Sequence, residues 1–215
     1  MHPTLSRLEQ LLAHKRPEFF QRFRPGISDT ALGKIPRAVR EVIHPDLLEL
    51  HRWRDGQNRG PTGGCFQNTM DFCALEESVR AYQVLAELHQ AGDFLLRDWW
   101  NLGWFPVLHG PTGDLLCVDT AGAFAGTVGQ IVDFVHNDPC RMIVAPGVWP
   151  WLESYCDFLE DDLLDETGCV RTSKDFVWAR GIVAFPKARF ASSRASGLVG
   201  SISARWKAWF GTGGR

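Results

Sequence analysis

The residues of this chain that could do chemistry are its carboxylates and histidines, and their spacing sets what is possible. Asp114 and Asp119 bracket one apolar stretch, Asp133 lies in the next, and Asp55 stands beside a glycine after a run of leucines. General acid–base work needs two carboxylates in different surroundings, and Asp119 or Asp133 would be the first suspects. An aspartate beside glycine in a turn ordinarily bonds its own backbone, so Asp55 and Asp114 read first as turn formers. Asp119, ending an apolar stretch, reads as a structural anchor. The seven histidines are dispersed, and none pairs with another at the i,i+4 spacing that puts two imidazoles on one helix face. The six cysteines stand singly without a CxxC spacing, which predicts reduced thiols and no zinc site. No GxSxG, HExxH or dinucleotide fingerprint occurs, and the glycine-rich stretch 60–64 lacks the Lys-Ser/Thr of a phosphate loop. The expectation is a protein without catalysis, metal or cofactor.

The elements that would position these groups follow from the hydrophobic pattern. Leu5, Leu8, Leu11 and Leu12 predict a helix over 4–14 that Pro17 closes. Ser28 or Asp29 caps a second helical segment, broken near Pro36, and Pro45 opens a helix that Asp55-Gly56 stops. Residues 57–68 have the Gly, Pro, Asn and Gln content of an exposed loop. A short strand over 70–75 leads into a helix over 76–90. Four short strands, 103–109, 115–119, 130–136 and 141–145, form an antiparallel meander. From Val148 the apolar stripe of Trp151, Leu152, Tyr155, Phe158 and Leu159 predicts a helix whose far end, EDDLLDE, is acidic.

Charge divides the chain. With 23 Lys+Arg and 25 Asp+Glu its net charge is −2, yet residues 1–169 hold 14 Lys+Arg against 24 Asp+Glu and residues 170–215 hold 9 against 1. An acidic body of −10 thus carries a basic extension of +8. In the extension, 175–184 could add strands. Leu198, Val199, Ile202, Trp206, Trp209 and Phe210 share one helical side with Arg205 and Lys207, a face predicted to dock on the body more readily than on a membrane. The chain has no run of about 18 apolar residues and no apolar leader, so it reads as cytoplasmic.

Two segments resemble the SUKH superfamily, which holds the Smi/Knr-like cell-wall assembly regulators and many bacterial toxin-immunity proteins. PDLLELHRWRDGQ (45–57), with Gly56, is similar to the family's helix ending in a (D/N)G(Q) turn. The stretch 102–155 is similar to its Trp-Pro strand, GD turn, LCVD strand, GQI strand and W-x-W-L helix. Trp104, Pro106, Gly113, Asp114, Asp119, Gly129, Gln130, Asp138, Trp151 and Leu152 carry that likeness, which spans 27–165 and leaves the extension unmatched. It implies an α+β fold, with a mixed, mostly antiparallel sheet wrapped by helices, and a binding module without catalysis.

The function expected is therefore an immunity protein that neutralises a cognate toxin by direct contact. A nuclease toxin must be cationic to hold phosphates, and an acidic inhibitor steers towards such a surface. Candidate contacts are Asp55, Gln57, Asn58, Glu160, Asp161, Asp162, Asp165 and Glu166, with no direct contact to nucleic acid. The second reading is a regulatory or adaptor module that binds a cellular protein or small ligand in a groove lined by aromatics such as Trp53, Trp99, Trp100 and Trp104.

Overall fold

The computed structural model describes residues 1–58, 64–94, 99–138, 141–165 and 168. The expected strands at 175–184, the amphipathic face from Leu198 to Phe210, Glu166, Cys140 and Cys169 lie outside the described residues.

The N-terminal third is a set of short helices fixed by local caps. In α1 (Pro3–Lys15) the His2 ring accepts from the Thr4 N–H, and Leu5, Leu8 and Leu12 are fully buried. Pro17 does not simply close this helix. Backbone at Arg16 leaves the helix (φ −138°, ψ 57°), and Pro17 opens α2 (Pro17–Phe20), where a missing N–H removes nothing. Ser28 caps α3 (Asp29–Gly33) by accepting from the Ala31 N–H, and α4 (Arg37–Arg40) restarts after Pro36. Pro45 begins α5 (Pro45–Trp53). A two-stranded ribbon not expected from the sequence, β1 (Phe23–Pro25) against β2 (Arg54–Gln57), ties this region together. Gly56 makes it possible: at φ +78° it brings its backbone so near Ala74 that an added Cβ would lie 2.3 Å from the Ala74 nitrogen.

The centre is a fully antiparallel meander in the order β3 (Asp71–Phe72), β4 (Trp104–His109), β5 (Leu115–Asp119), β6 (Gln130–Phe134), β7 (Arg141–Ala145). The expected four strands are present, and the strand expected over 70–75 is the short β3, which joins them at the edge. Pro106 offers no N–H to the ladder, and the register of β4 shifts between Pro106 and Leu108. Helix α6 (Leu75–Ala91) packs on β4, while α7 (Val148–Glu160) packs on β6, β7 and α1. The fold is α+β, as expected.

Register sorts the side chains into rows. On one face Trp104, Asp119 and Gln130 stand abreast; on the other Leu108, Leu116, Asp133 and Met142 do so. Rings of Phe19, Phe23, Phe66, Phe72, Trp151 and Tyr155 fill the space between the N-terminal ribbon and α7. Among the described residues no helix is long and apolar enough to cross a membrane.

Candidate functional site

The turn 54–58 was expected to offer Asp55, Gln57 and Asn58 to a partner. Two of them are occupied inside the protein. Asp55 accepts from the Leu75 N–H at the start of α6 (2.8 Å) and contacts the buried His51 ring (3.1 Å). Burial alone would raise the Asp55 pKa, but these bonds hold it below the usual carboxylate range. Burial keeps His51 below its ordinary value despite that carboxylate. Gln57 is 6% exposed; its amide donates to Asp71 (2.7 Å) and its oxygen accepts from the Phe72 N–H. Asn58 alone is exposed, with its backbone bonded to Arg22. Polar composition suggested a surface loop, whereas the polar groups stitch β2 to β3 and α6.

The acidic end of α7 is a surface feature. Glu160, Asp161 and Asp162 are exposed, and Asp165 is half-buried. The same edge carries Glu153 and Asp157 one and two turns earlier. Facing it, Arg7 of α1 reaches Glu153 (2.8 Å), Asp157 (2.8 Å) and Glu160 (2.5 Å), and Lys15 reaches Asp162 (2.8 Å). Hydrogen bonds to Asp157, Glu160 and Glu153 raise the Arg7 pKa against the opposing effect of burial. Among the described residues, Arg7 and Lys15 thus pair with four of the five carboxylates on this edge. Beside it a groove of about 630 Å³ runs between α1, α2 and the end of α7, lined by Arg16, Phe19, Leu159 and Leu164 among others.

The motif residues hold the other end of the sheet. Asp119, fully buried, accepts from the N–H groups of Ala121 (2.9 Å) and Ala123 (2.6 Å) and from Gln130 Nε2 (2.7 Å), and that same Gln130 nitrogen donates to the Ala123 carbonyl. These bonds hold the 120–126 loop in a strained course, with Phe124 at φ 57° and Ala125 at φ 58°. Phe124 is thereby set against Trp104 (5.9 Å between rings). With Trp100, Asn101 and His89 they line a groove of about 470 Å³. The indole N–H groups of Trp100 and Trp104 are buried without a partner. Trp53 lies elsewhere, donating to Glu9, and Trp99 stands beside Arg141, so the four suggested tryptophans do not form one groove. Gly129, at φ +91°, lets the His44 ring approach, and Gly113, at φ +97°, shapes the turn before Asp114. Trp151 of α7 donates its indole N–H to Gln67 (2.8 Å).

Asp114 is bound within its turn. It accepts from Thr112 and from both the N–H and the ring of His136 (2.9 and 2.8 Å). Burial would raise its pKa, but these donors bring it below the usual range. Asp133 is the opposite case. Burial, then the nearby Asp114, push its carboxyl up to about 6. One of its oxygens is buried without a partner, and it lines a cavity of about 100 Å³. The two carboxylates therefore differ in acidity but do not converge on one cleft, since both oxygens of Asp114 accept bonds from Thr112 and His136.

Among the described residues no three His, Cys, Asp or Glu gather to hold a metal, and Cys117 and Cys156 are free thiols. No family model matches the chain, and no curated protein matches it in sequence.

Proposed function

We propose that the chain is a non-catalytic immunity module of the SUKH type that captures a cationic protein toxin through the acidic edge of α7. The observation that supports this reading is the run of carboxylates on one helix edge, Glu153, Asp157, Glu160, Asp161 and Asp162, of which Arg7 pairs with three and Lys15 with one. Such an edge draws a cationic surface in and raises the rate of encounter. Free thiols suit a reducing cytoplasm, where such a module would act. Co-expression with the product of a neighbouring toxin gene tests the reading. A stable complex and rescue from toxicity are expected, both weakened by E160K/D161K; neither complex nor rescue would end it.

The adaptor reading is favoured by the groove in which Trp100, Trp104 and Phe124 meet. A pull-down whose partner is a cellular protein other than a toxin, lost in W104A or F124A and kept in E160K/D161K, would put that reading first.

A further inference from the structure

Two polar side chains, each with one buried atom that finds no protein partner, meet at one small cavity. Leu108, Leu116, Asp133 and Met142 form a row fixed by the register of four strands. Together with Gln67 and Met70 they enclose about 100 Å³. Met142 is 48% exposed, so the row opens to solvent on the β7 side.

Gln67 is 3% exposed, and chemistry fixes which way its amide points. An indole N–H can only donate, so the atom that accepts from Trp151 is the carbonyl oxygen of Gln67. Its NH2 is left buried with no partner, as is Oδ1 of Asp133. Arg141 offsets part of the effect of burial on Asp133 by its charge, but its guanidinium donates to backbone carbonyls. Arg141 stands in the row of Leu115 and Phe134, with its guanidinium over the Phe134 ring and donating to the carbonyls of Val135, Asp138 and Trp99. Asp114 is turned to His136 and Thr112. A donor and an acceptor thus border a cavity whose remaining walls, Asn68 apart, are aliphatic and thioether.

The ligand chemistry follows by complementarity. A cation would satisfy Asp133 but place its donors against the NH2 of Gln67. A carboxylate would meet the negative charge of Asp133, with Asp114 and Asp138 behind it. A single water could bridge both atoms, yet its share of volume is only about 30 Å³. We propose that the cavity binds a primary carboxamide head group, whose oxygen accepts from Gln67 Nε2 and whose N–H donates to the Asp133 carboxylate. An apolar cavity of about 150 Å³ holds benzene, so this one suits a head of about four or five heavy atoms. The amide can come from a free small molecule or from an Asn or Gln side chain of a protein partner. The site is independent of the acidic edge and stands whether or not a toxin is the partner.

Titration adds a signature. The charged and titratable groups around Asp133 are Asp114, His136 and Asp138 in the turns, Arg141 on β7 and Cys117 on β5, and the carboxyl titrates near 6. The amide bonds best to the ionised form, so affinity falls as pH drops through about 6.

Backbone-amide NMR of the full chain, titrated with propanamide, propylammonium and propionate, tests the site. Propanamide is expected to give saturable, millimolar shifts around Leu116, Asp133 and Met142, and the two ions none. D133L is expected to weaken propanamide roughly 10- to 100-fold, the loss of a hydrogen bond to a charged group. D133N keeps an acceptor and the shape, and is expected to bind without pH dependence near 6. If N-acetylglutamine methylamide shifts the same residues, a protein side chain is the source; if propanamide alone does, the source is a free amide. Absence of saturable shifts with propanamide, equal binding of propylammonium, or unchanged affinity in D133L would overturn the proposal.

Discussion

Asp119 and Asp133 lie on neighbouring strands of one sheet, and the protein treats them in opposite ways. Asp119 is fully buried and accepts from two backbone N–H groups and an amide, so its charge is matched where it stands. Asp133 is less buried, yet one oxygen has no partner and its pKa is pushed up to about 6 by burial and by Asp114. Burial alone therefore does not distinguish structure from function; the count of partners does. A satisfied buried carboxylate organises a loop, whereas an unsatisfied one is a place where something else can bind.

The largest effect expected is at the satisfied end. D119A removes the acceptor of the Ala121 and Ala123 N–H groups and of one N–H of Gln130, and should destabilise the protein by about 3–5 kcal/mol in urea unfolding, since each hydrogen bond to a charged group contributes about 1.5–3 kcal/mol. If the loss is below about 1 kcal/mol, the contrast with Asp133 fails.

At the other end the sign reverses. A carboxyl whose folded pKa is raised from 3.8 to about 6 leaves stability intact below pH 3.8 and erodes it as pH rises through 6. Its full effect above that window is up to about 3 kcal/mol, because each pKa unit is worth about 1.4 kcal/mol. D133L should therefore be more stable than the parent at neutral pH, with the advantage shrinking towards pH 4; equal stability across that range would contradict the assignment. Asp114 acts in the opposite sense. Its depressed pKa contributes stability above 3.8 that is lost as acid protonates it, so D114N should narrow the difference between neutral and acid stability.

A smaller effect sharpens the same contrast. W151F removes the indole donor to the oxygen of Gln67 and should cost about 1–2 kcal/mol in thermal unfolding. Smallest is the surface. Arg7 is 33% exposed and its three carboxylates about half exposed, so R7M should lose at most about 1 kcal/mol, most of it screened by salt. A much larger loss there would mean that the α7 edge serves folding rather than a partner.

What the sequence could reveal follows the range of the interactions. The strands at Leu115–Asp119 and Arg141–Ala145 were legible to the residue because branched residues run between turn signals. The Asp119 anchor was legible for the same reason, its partners lying within the next eleven positions. The ribbon of β1 and β2 was not, since Arg54–Gln57 is polar and follows α5 without a break, and its strand form is imposed by Phe23–Pro25. Asp55 and Gln57 were taken for surface residues because the groups that occupy them, Leu75 and Asp71, arrive only on folding. Asp133 stands out in the sequence as a carboxylate, but its meeting with Gln67 at one cavity depends on a turn distant in the chain.

The most direct measurement is a side-chain carboxyl NMR titration of Asp133, run with and without propanamide. The account predicts a midpoint near 6 that moves downward when propanamide is present, because the amide favours the ionised form. A midpoint in the ordinary range near 4, unmoved by propanamide, would show that Asp133 is neither desolvated nor a binding group, and would contradict the account.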